Sequence, residues 1–491
     1  MSSPPAPDSS VATLETVGAR WATIALLALF VSVCAVGLAT GSLAHVDEYR
    51  TAERSREMLL DLPGLTVHEN FEPSFQKPPL QYWLTALTLR WIPDPELATR
   101  VWSLVFGVLL LMATAWLTHE CAPEWPWSAP LAVGLLIACD FIVESSRMAM
   151  LDMGMMFFTV ASLAAVVAAR RDARYWLVGG ALASLGLLQK APVALAAFFV
   201  ATLWTAASKG RRRAFTESPW PLRGWYAALG FGLLWPAIQF LQFGPPYVSE
   251  FFGTQMVDRF STMHRNQDPL LYLRLLFDHW QLLAVVTIAA VIATVLVPRL
   301  RLREPAVMLA LWSLVGLGFV TLSSFRSSRY VVVPIPTLAV VTALACASLP
   351  RGRRRTIGAT ALALMAAATF VHQTWIAPDF YRTHERGRGS YVKRIAKAIG
   401  RTAAPDDTVV LVRRSGLTPA RLLFYGELNR PVTVIPAKHP ERLLEVPLPV
   451  QGVVHRNDLE GLLEVAPNLK RHTSYGRLVH WSLDGMPHAP E

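Results

Sequence analysis

Residues 153–213 read MGMMFFTVASLAAVVAA (153–169), RRDAR (170–174), YWLVGGALASLGLLQ (175–189), Lys190, APVALAAFFVATLWTAAS (191–208) and KGRRR (209–213). Three runs without Asp, Glu, Lys or Arg are separated by one basic cluster, one lysine and a second basic cluster. A bilayer crossing takes roughly 17–25 apolar residues. Inside hydrocarbon every backbone polar group must be bonded within its own segment, so each run is predicted to be a helix.

The pattern extends in both directions. Further charge-free runs occupy 21–46, 101–119, 125–139, 224–249, 280–298, 305–325, 330–350 and 356–378. About eleven spans are therefore expected. The short loops after the even-numbered spans, RRDAR, KGRRR, PRLRLR (298–303) and RGRRR (351–355), hold fourteen basic residues. The short loops of the opposite side hold four: Arg147, Lys190, Arg326 and Arg329. Lys and Arg accumulate on the cytoplasmic side, which places the N-terminus inside and the C-terminal segment outside. The run at 21–46 is too long for a signal-peptide core and reads as a retained first helix.

Composition agrees. Of 491 residues 53% are hydrophobic and only 16% charged, with mean hydropathy +0.35. That excludes a disordered chain, a coiled coil and a disulfide-knotted secreted domain. The net charge of +11 comes largely from the loop clusters, which suit anionic membrane lipid, and no nucleic-acid partner is expected. Cys34, Cys139 and Cys346 fall in spans and Cys121 in a cytoplasmic loop, so no disulfide framework is expected.

The expected organisation is a disordered cytoplasmic tail (1–20), an all-α membrane domain (21–378) and a small extracytoplasmic α/β domain (379–491). The membrane domain has long outer loops at 47–100 and 250–279. In the tail domain, Val392, Ile395, Ala396 and Ile399 share one helical face. Segments 408–412, 431–435, 450–454 and 478–483 read as strands, and 459–466 as a helix. In loop 47–100, an alternating-sign segment from Asp47 to Glu57 reads as a helix. The run 80–92, with Trp83 and Trp91, reads as an interfacial helix in the headgroup zone.

Ionisable residues gather at the outer face: Asp47, Glu48, Asp140, Glu144, Arg147, Asp152, Lys190, Arg326 and Arg329. Charges at membrane depth are costly and line aqueous cavities or pair with one another. Lys77, beside Pro78 and Pro79, is placed to hold a phosphate or to snorkel to headgroups. Asp152 is a candidate acid or the N-cap of the following span. Lys190 reads as a phosphate ligand or a hairpin determinant. Tyr330 reads as a phosphate contact or a belt tyrosine. Glu144 and Arg147 are spaced for a local ion pair.

The motifs DE-x-R (Asp47–Arg50), REML (56–59), KPPL-x-YWL (77–84), R-x-A-x-x-D (Arg147–Asp152) and K-x-P (Lys190–Pro192) follow one another in order. His264 with Asp268-Pro269, and RY-x-x-x-P-x-P (Arg329–Pro336), complete the set. This ordered set resembles the polyprenyl-phosphate-sugar-dependent glycosyltransferases of the GT-C superfamily. Within it, glycosyltransferase family 39, with the aminoarabinose lipid A transferases and protein O-mannosyltransferases, is the nearest kin. The resemblance implies a sugar transferred from a polyprenyl-phosphate donor to a lipid, protein or glycan acceptor outside the plasma membrane. It implies catalytic roles for Asp47, Glu48 and Asp152, and donor-phosphate roles for Lys77, Lys190, Arg50, Arg329 and Tyr330. A divalent metal on His264 with Glu48 is a further implication. The family's usual Glu before Lys-Pro-Pro is Gln76 here, its Tyr after DE-x-R is Thr51, and its Thr-Lys-Gly-Pro is Gln189-Lys190-Ala191-Pro192. The competing reading is a transporter or lipid flippase. Such proteins place their sites near the midplane on broken helices, often in repeated halves, and neither feature is visible in the sequence.

Overall fold

The computed structural model describes residues 9–43, 45–60, 64–208, 212–257, 268, 270–280, 282–297, 303–322, 327–372, 388–413 and 418–485. These divide into two compact units. The first comprises 1–36, 75–81 and 101–376; the second comprises 37–74, 82–100 and 377–491.

The first unit is helical, and among the described residues each apolar run contains helix. Among the described residues six helices are long and apolar enough to cross a membrane: Glu15–Ala35, Pro95–Cys121, Leu151–Ala168, Trp220–Phe243, Glu304–Leu322 and Arg329–Ala347. Two bent pairs raise the number to eight: Ser128–Ile137 with Asp140–Arg147 at 69°, and Leu271–Trp280 with Leu283–Leu296 at 119°. The shorter helices Tyr175–Lys190 and Val193–Ala207 fill two further runs. The first helix starts at Ser9, earlier than the predicted disordered tail allows. Glu15 pairs with Arg355, which gives this polar extension a partner within the unit.

Helix 151–168 is the buried centre, with 94% of its span window inside the protein. Beside it, 175–190 and 220–232 come into backbone contact through glycine. A Cβ on Gly180 would lie 1.9 Å from the Gly224 carbonyl oxygen, and one on Gly224 would lie 2.5 Å from the Trp176 carbonyl oxygen. Small residues permit this approach where lipid supplies no hydrophobic drive between helices.

The second unit holds the helix Val46–Leu60, a two-residue hairpin of β1 (His68–Glu69) and β2 (Glu72–Pro73), and a five-stranded sheet. The sheet comprises β3 (408–413), β4 (432–436), β5 (450–455), β6 (470–475) and β7 (478–483), in the order β4-β3-β5-β7-β6. β3 runs parallel to β4 and β5, while β7 is antiparallel to β5 and β6. Val409 and Leu411 pack on one face with Val392, Ile395, Ala396 and Ile399; Val410 and Val412 pack on the other with Trp481. The alternation follows from successive side chains pointing to opposite faces, and both faces being covered explains the all-apolar TVVLV.

The four predicted strands and both predicted tail helices are present within a residue or two. Strand β6 was not predicted because KRHTSY is an exposed edge strand with no apolar alternation. Helix Pro419–Gly426 was also not predicted. Helix Leu80–Trp91 forms as expected, with Tyr82 and Ala86 buried and Leu87 and Trp91 exposed.

The glycine contact sets a stability prediction. Gly180→Ala is expected to lower the melting temperature of the detergent-solubilised protein by several degrees, since the added methyl meets backbone that has no room to give. Gly230→Ala, on the partner helix and with nothing within 4 Å, should leave it unchanged.

Candidate functional site

The first unit contains a cavity of about 340 Å³. Most of its wall is apolar: Met155, Val193, Ala196, Phe251, Trp312, Val315, Phe319, Val320 and Val333. Its polar lining is Gln76, Lys77, Lys190 and Tyr330, so the charged groups on its wall, among the described residues, are both cations.

Each polar group is placed by its helix. Lys190 is the last residue of 175–190, where a cation also meets the negative end of the helix dipole. Its Nζ lies 2.6 Å from Asp152 Oδ1 and 5.5 Å from the Tyr330 ring centroid. Asp152 is inside the first turn of 151–168. The residue capping that helix is Met150, which makes no side-chain capping bond. The N-cap reading of Asp152 is therefore corrected: the helix starts two residues further back, and the carboxylate is spent on Lys190 rather than on backbone N–H groups. Arg329 donates to Met150 Sδ at 3.4 Å, at the same helix start.

Gln189 matters more than its sequence suggested. Its Nε2 donates to Gln81 Oε1 at 2.8 Å and to the Leu151 carbonyl at 3.2 Å. It occupies space opened by Gly154, where a Cβ would lie 2.5 Å from Nε2. One amide thus ties the end of the Lys-Pro-Pro segment to the start of the Asp152 helix. The signal was present, as Gln189 replaces the family's threonine, but a substitution does not announce what it bonds. Asp140 pairs with His279 at 2.8 Å, a partner 139 residues away, and Arg147 donates to the Val33 carbonyl.

Asp47, Glu48 and Arg50 belong to the second unit. Asp47 is exposed in the first turn of 46–60, its N–H donating to His45 Nδ1 at 3.1 Å. Glu48 is buried; Arg100 Nε donates to its Oε1 at 2.9 Å and the His45 N–H to its Oε2 at 3.3 Å. Arg50 pairs with Glu69 at 2.9 Å, and Arg54 pairs with the same carboxylate. Further along the helix, Glu57 accepts the N–H groups of Asn70 and Phe71, both at positive φ. Burial, with the nearby Glu53 charge, pushes the Glu57 carboxyl up to about 7.

Of the implied metal site the described residues include Glu48, whose Oε1 and Oε2 accept from Arg100 and from the His45 N–H. Among the described residues no group of three His, Cys, Asp or Glu is placed to hold a metal ion. His264 lies outside the described residues.

Residues 19–234 match the family model for dolichyl-phosphate-mannose-protein mannosyltransferase. An undecaprenyl phosphate-alpha-4-amino-4-deoxy-L-arabinose arabinosyl transferase of Edwardsiella ictaluri is 27% identical over 250 residues, which is 50% of this chain and 44% of that protein. The match thus spans less than half of the relative's length. The crystal structure of ArnT from Cupriavidus metallidurans bound to undecaprenyl phosphate superposes with TM-score 0.75 at 18% identity, covering 95% of this chain and 99% of that one. The mycobacterial arabinofuranosyltransferase AftD matches with TM-score 0.56 at 14% identity, covering 96% of this chain and 40% of that one.

The raised Glu57 carboxyl generates a prediction. An acid whose folded pKa exceeds its unfolded value of about 4.5 contributes stability in full below pH 4.5, and that contribution is lost as pH rises through about 7. The melting temperature of wild type should therefore fall relative to Glu57→Gln between pH 4.5 and pH 7.5. Parallel curves would show that Glu57 titrates normally. The chain thus has the fold of the Cupriavidus metallidurans ArnT structure, and its residues 19–234 carry the pattern of the mannosyltransferase family model.

Proposed function

We propose that the protein transfers a sugar from a polyprenyl-phosphate donor to an acceptor hydroxyl or phosphate on the extracytoplasmic side of the plasma membrane. The observation carrying this reading is the cavity of the first unit, whose lining joins an apolar wall of Trp312, Val315, Phe319 and Val320 to the polar groups of Lys77, Lys190 and Tyr330. A long isoprenoid needs the first feature and its phosphate needs the second. The names of the relatives favour undecaprenyl phosphate as the lipid, with 4-amino-4-deoxy-L-arabinose or mannose as the sugar. Eleven spans with the N-terminus inside, from the basic-loop alternation, complete the proposed topology. Lipid A, a protein hydroxyl and an envelope glycan remain the acceptor classes to be tested.

In this reading Lys77, Lys190 and Arg329 neutralise the departing phosphate. Asp47, by its place in the DE-x-R motif, takes the acceptor proton. The acceptor oxygen bonds to the anomeric carbon as the carbon–oxygen bond to phosphate breaks, and the bonding pair leaves on the polyprenyl phosphate. A single displacement inverts the configuration, whereas a covalent sugar intermediate needs a second carboxylate about 5 Å from the first. The Lys190–Asp152 pair gives Asp152 a positioning role.

Purified protein supplied with undecaprenyl-phosphate-linked sugars provides the test. Asp47→Asn is expected to lower kcat by roughly 10²–10⁴-fold, the usual worth of a general base. Lys77→Ala should weaken binding of undecaprenyl phosphate at least about tenfold, the loss of one charge-assisted contact. Undiminished transfer by Asp47→Asn removes the base assignment; unchanged lipid binding by Lys77→Ala removes the phosphate assignment. Because Gln76 replaces the family's glutamate and Glu48 is held by Arg100, transfer is expected to survive treatment with a chelator; loss restored by a divalent cation would show the opposite.

A further inference from the structure

The segment that delivers Asp47 is held by side chains from two distant parts of the sequence. After the first helix the chain turns at Gly37 (φ 81°) and Gly41 (φ 72°). Arg100, itself buried, donates to the carbonyls of Leu38 (3.1 Å), Thr40 (2.9 Å) and Ser42 (3.2 Å), as well as to Glu48. The next residue, Leu43, is held from the C-terminal sheet region of the same unit. Its N–H donates to Tyr425 Oη at 2.6 Å and its carbonyl accepts from Arg421 Nη2 at 2.9 Å. Tyr425 donates in turn to Glu96 Oε1 at 3.0 Å. The Arg421 guanidinium lies 4.5 Å from the ring centroid of Tyr49, two residues along the helix from Asp47.

Both backbone groups of Leu43 are therefore bonded to side chains of a single short helix, 419–426. Leu43 is 0% exposed, so neither group has water as an alternative. Burial and the adjacent Glu96 carboxylate keep the Tyr425 hydroxyl protonated far above the ordinary tyrosine range, so its donor and acceptor roles are fixed.

We propose that Tyr425 and Arg421 are positioning residues for Asp47. They fix Leu43, three residues before helix 46–60, and thereby the place of that helix's first turn. This rests on the reading of Asp47 as the base, and it assigns the C-terminal sheet region a part in the transfer step. A displacement of about 1 Å at a reacting group costs up to roughly 10²-fold in rate.

The test uses the full-length protein and the lipid-linked sugar found active in the transfer assay. Tyr425→Phe removes one hydroxyl and leaves the ring packing. It is expected to lower kcat by about tenfold or more while the donor KM stays within about twofold. The same variant combined with Asp47→Glu should show a loss smaller than the product of the two single losses, because a displaced base has less left to lose. Hydrogen exchange at the Leu43 amide reports whether the clamp has opened, and Arg421→Lys provides a second variant that keeps the charge. Unchanged kcat with accelerated Leu43 exchange would overturn the proposal, as would strictly multiplicative losses. If Asp47→Asn alone retains full activity, the base reading has failed instead, and the two failures are told apart by that control.

Discussion

The first unit depends on a carboxylate and an ammonium placed at facing helix ends in an otherwise apolar bundle. Asp152 opens a helix whose remaining residues are almost wholly buried, and Lys190 closes the next one; the two meet at 2.6 Å. Either charge alone at that depth costs several kcal/mol in desolvation. Together they tolerate burial, and they tie the two helices at the ends remote from the loop 170–174 that joins them. Lipid tails are as apolar as the helix faces, so association needs such points of polar attachment and close small-residue packing. The Gly180–Gly224 approach and the Gln189 amide are two more such points in the same unit.

The apolar runs were legible because their constraint is local. A charge-free stretch in hydrocarbon must satisfy its own backbone, so its helical state follows from its own residues. What those runs do not encode is where a helix bends. The break between Ile137 and Asp140 falls at the end of the run 125–139, where Asp140 finds His279 from a helix far along the chain. The sheet of the second unit was legible where strands are buried on both faces. It failed at β6, whose outward residues carry no pattern.

The candidate site was legible as a set of residue types and not as a set of partners. Lys77, Lys190 and Tyr330 were selected from ordered motifs, and the same three line one cavity. Asp152, the partner of Lys190, was selected as well, but Gln189 in the first unit and Arg100 in the second were not. Gln189 looked like a departure from a pattern, and Arg100 belonged to no motif. Each acts through backbone carbonyls, and a carbonyl has no sequence signature. The apolar trough was equally hidden, because Trp312, Val315 and Phe319 sit in a run that reads only as a span.

The Lys190–Asp152 pair also bears on how a phosphate would be held. An ammonium carries three donors in a rotatable fan, and the bond to Asp152 uses one. Pairing lowers the cost of keeping a charged lysine in an apolar wall between turnovers. It does not remove the lysine's attraction for a second anion, since a carboxylate carries one negative charge and a phosphate monoester up to two. In the proposed reaction the leaving phosphate gains charge as the glycosidic bond breaks, and the balance of Lys190 between the two anions would shift toward phosphate. A cation shared in this way would bind the product state more strongly than the donor state, the kind of differential interaction that speeds a bond-breaking step.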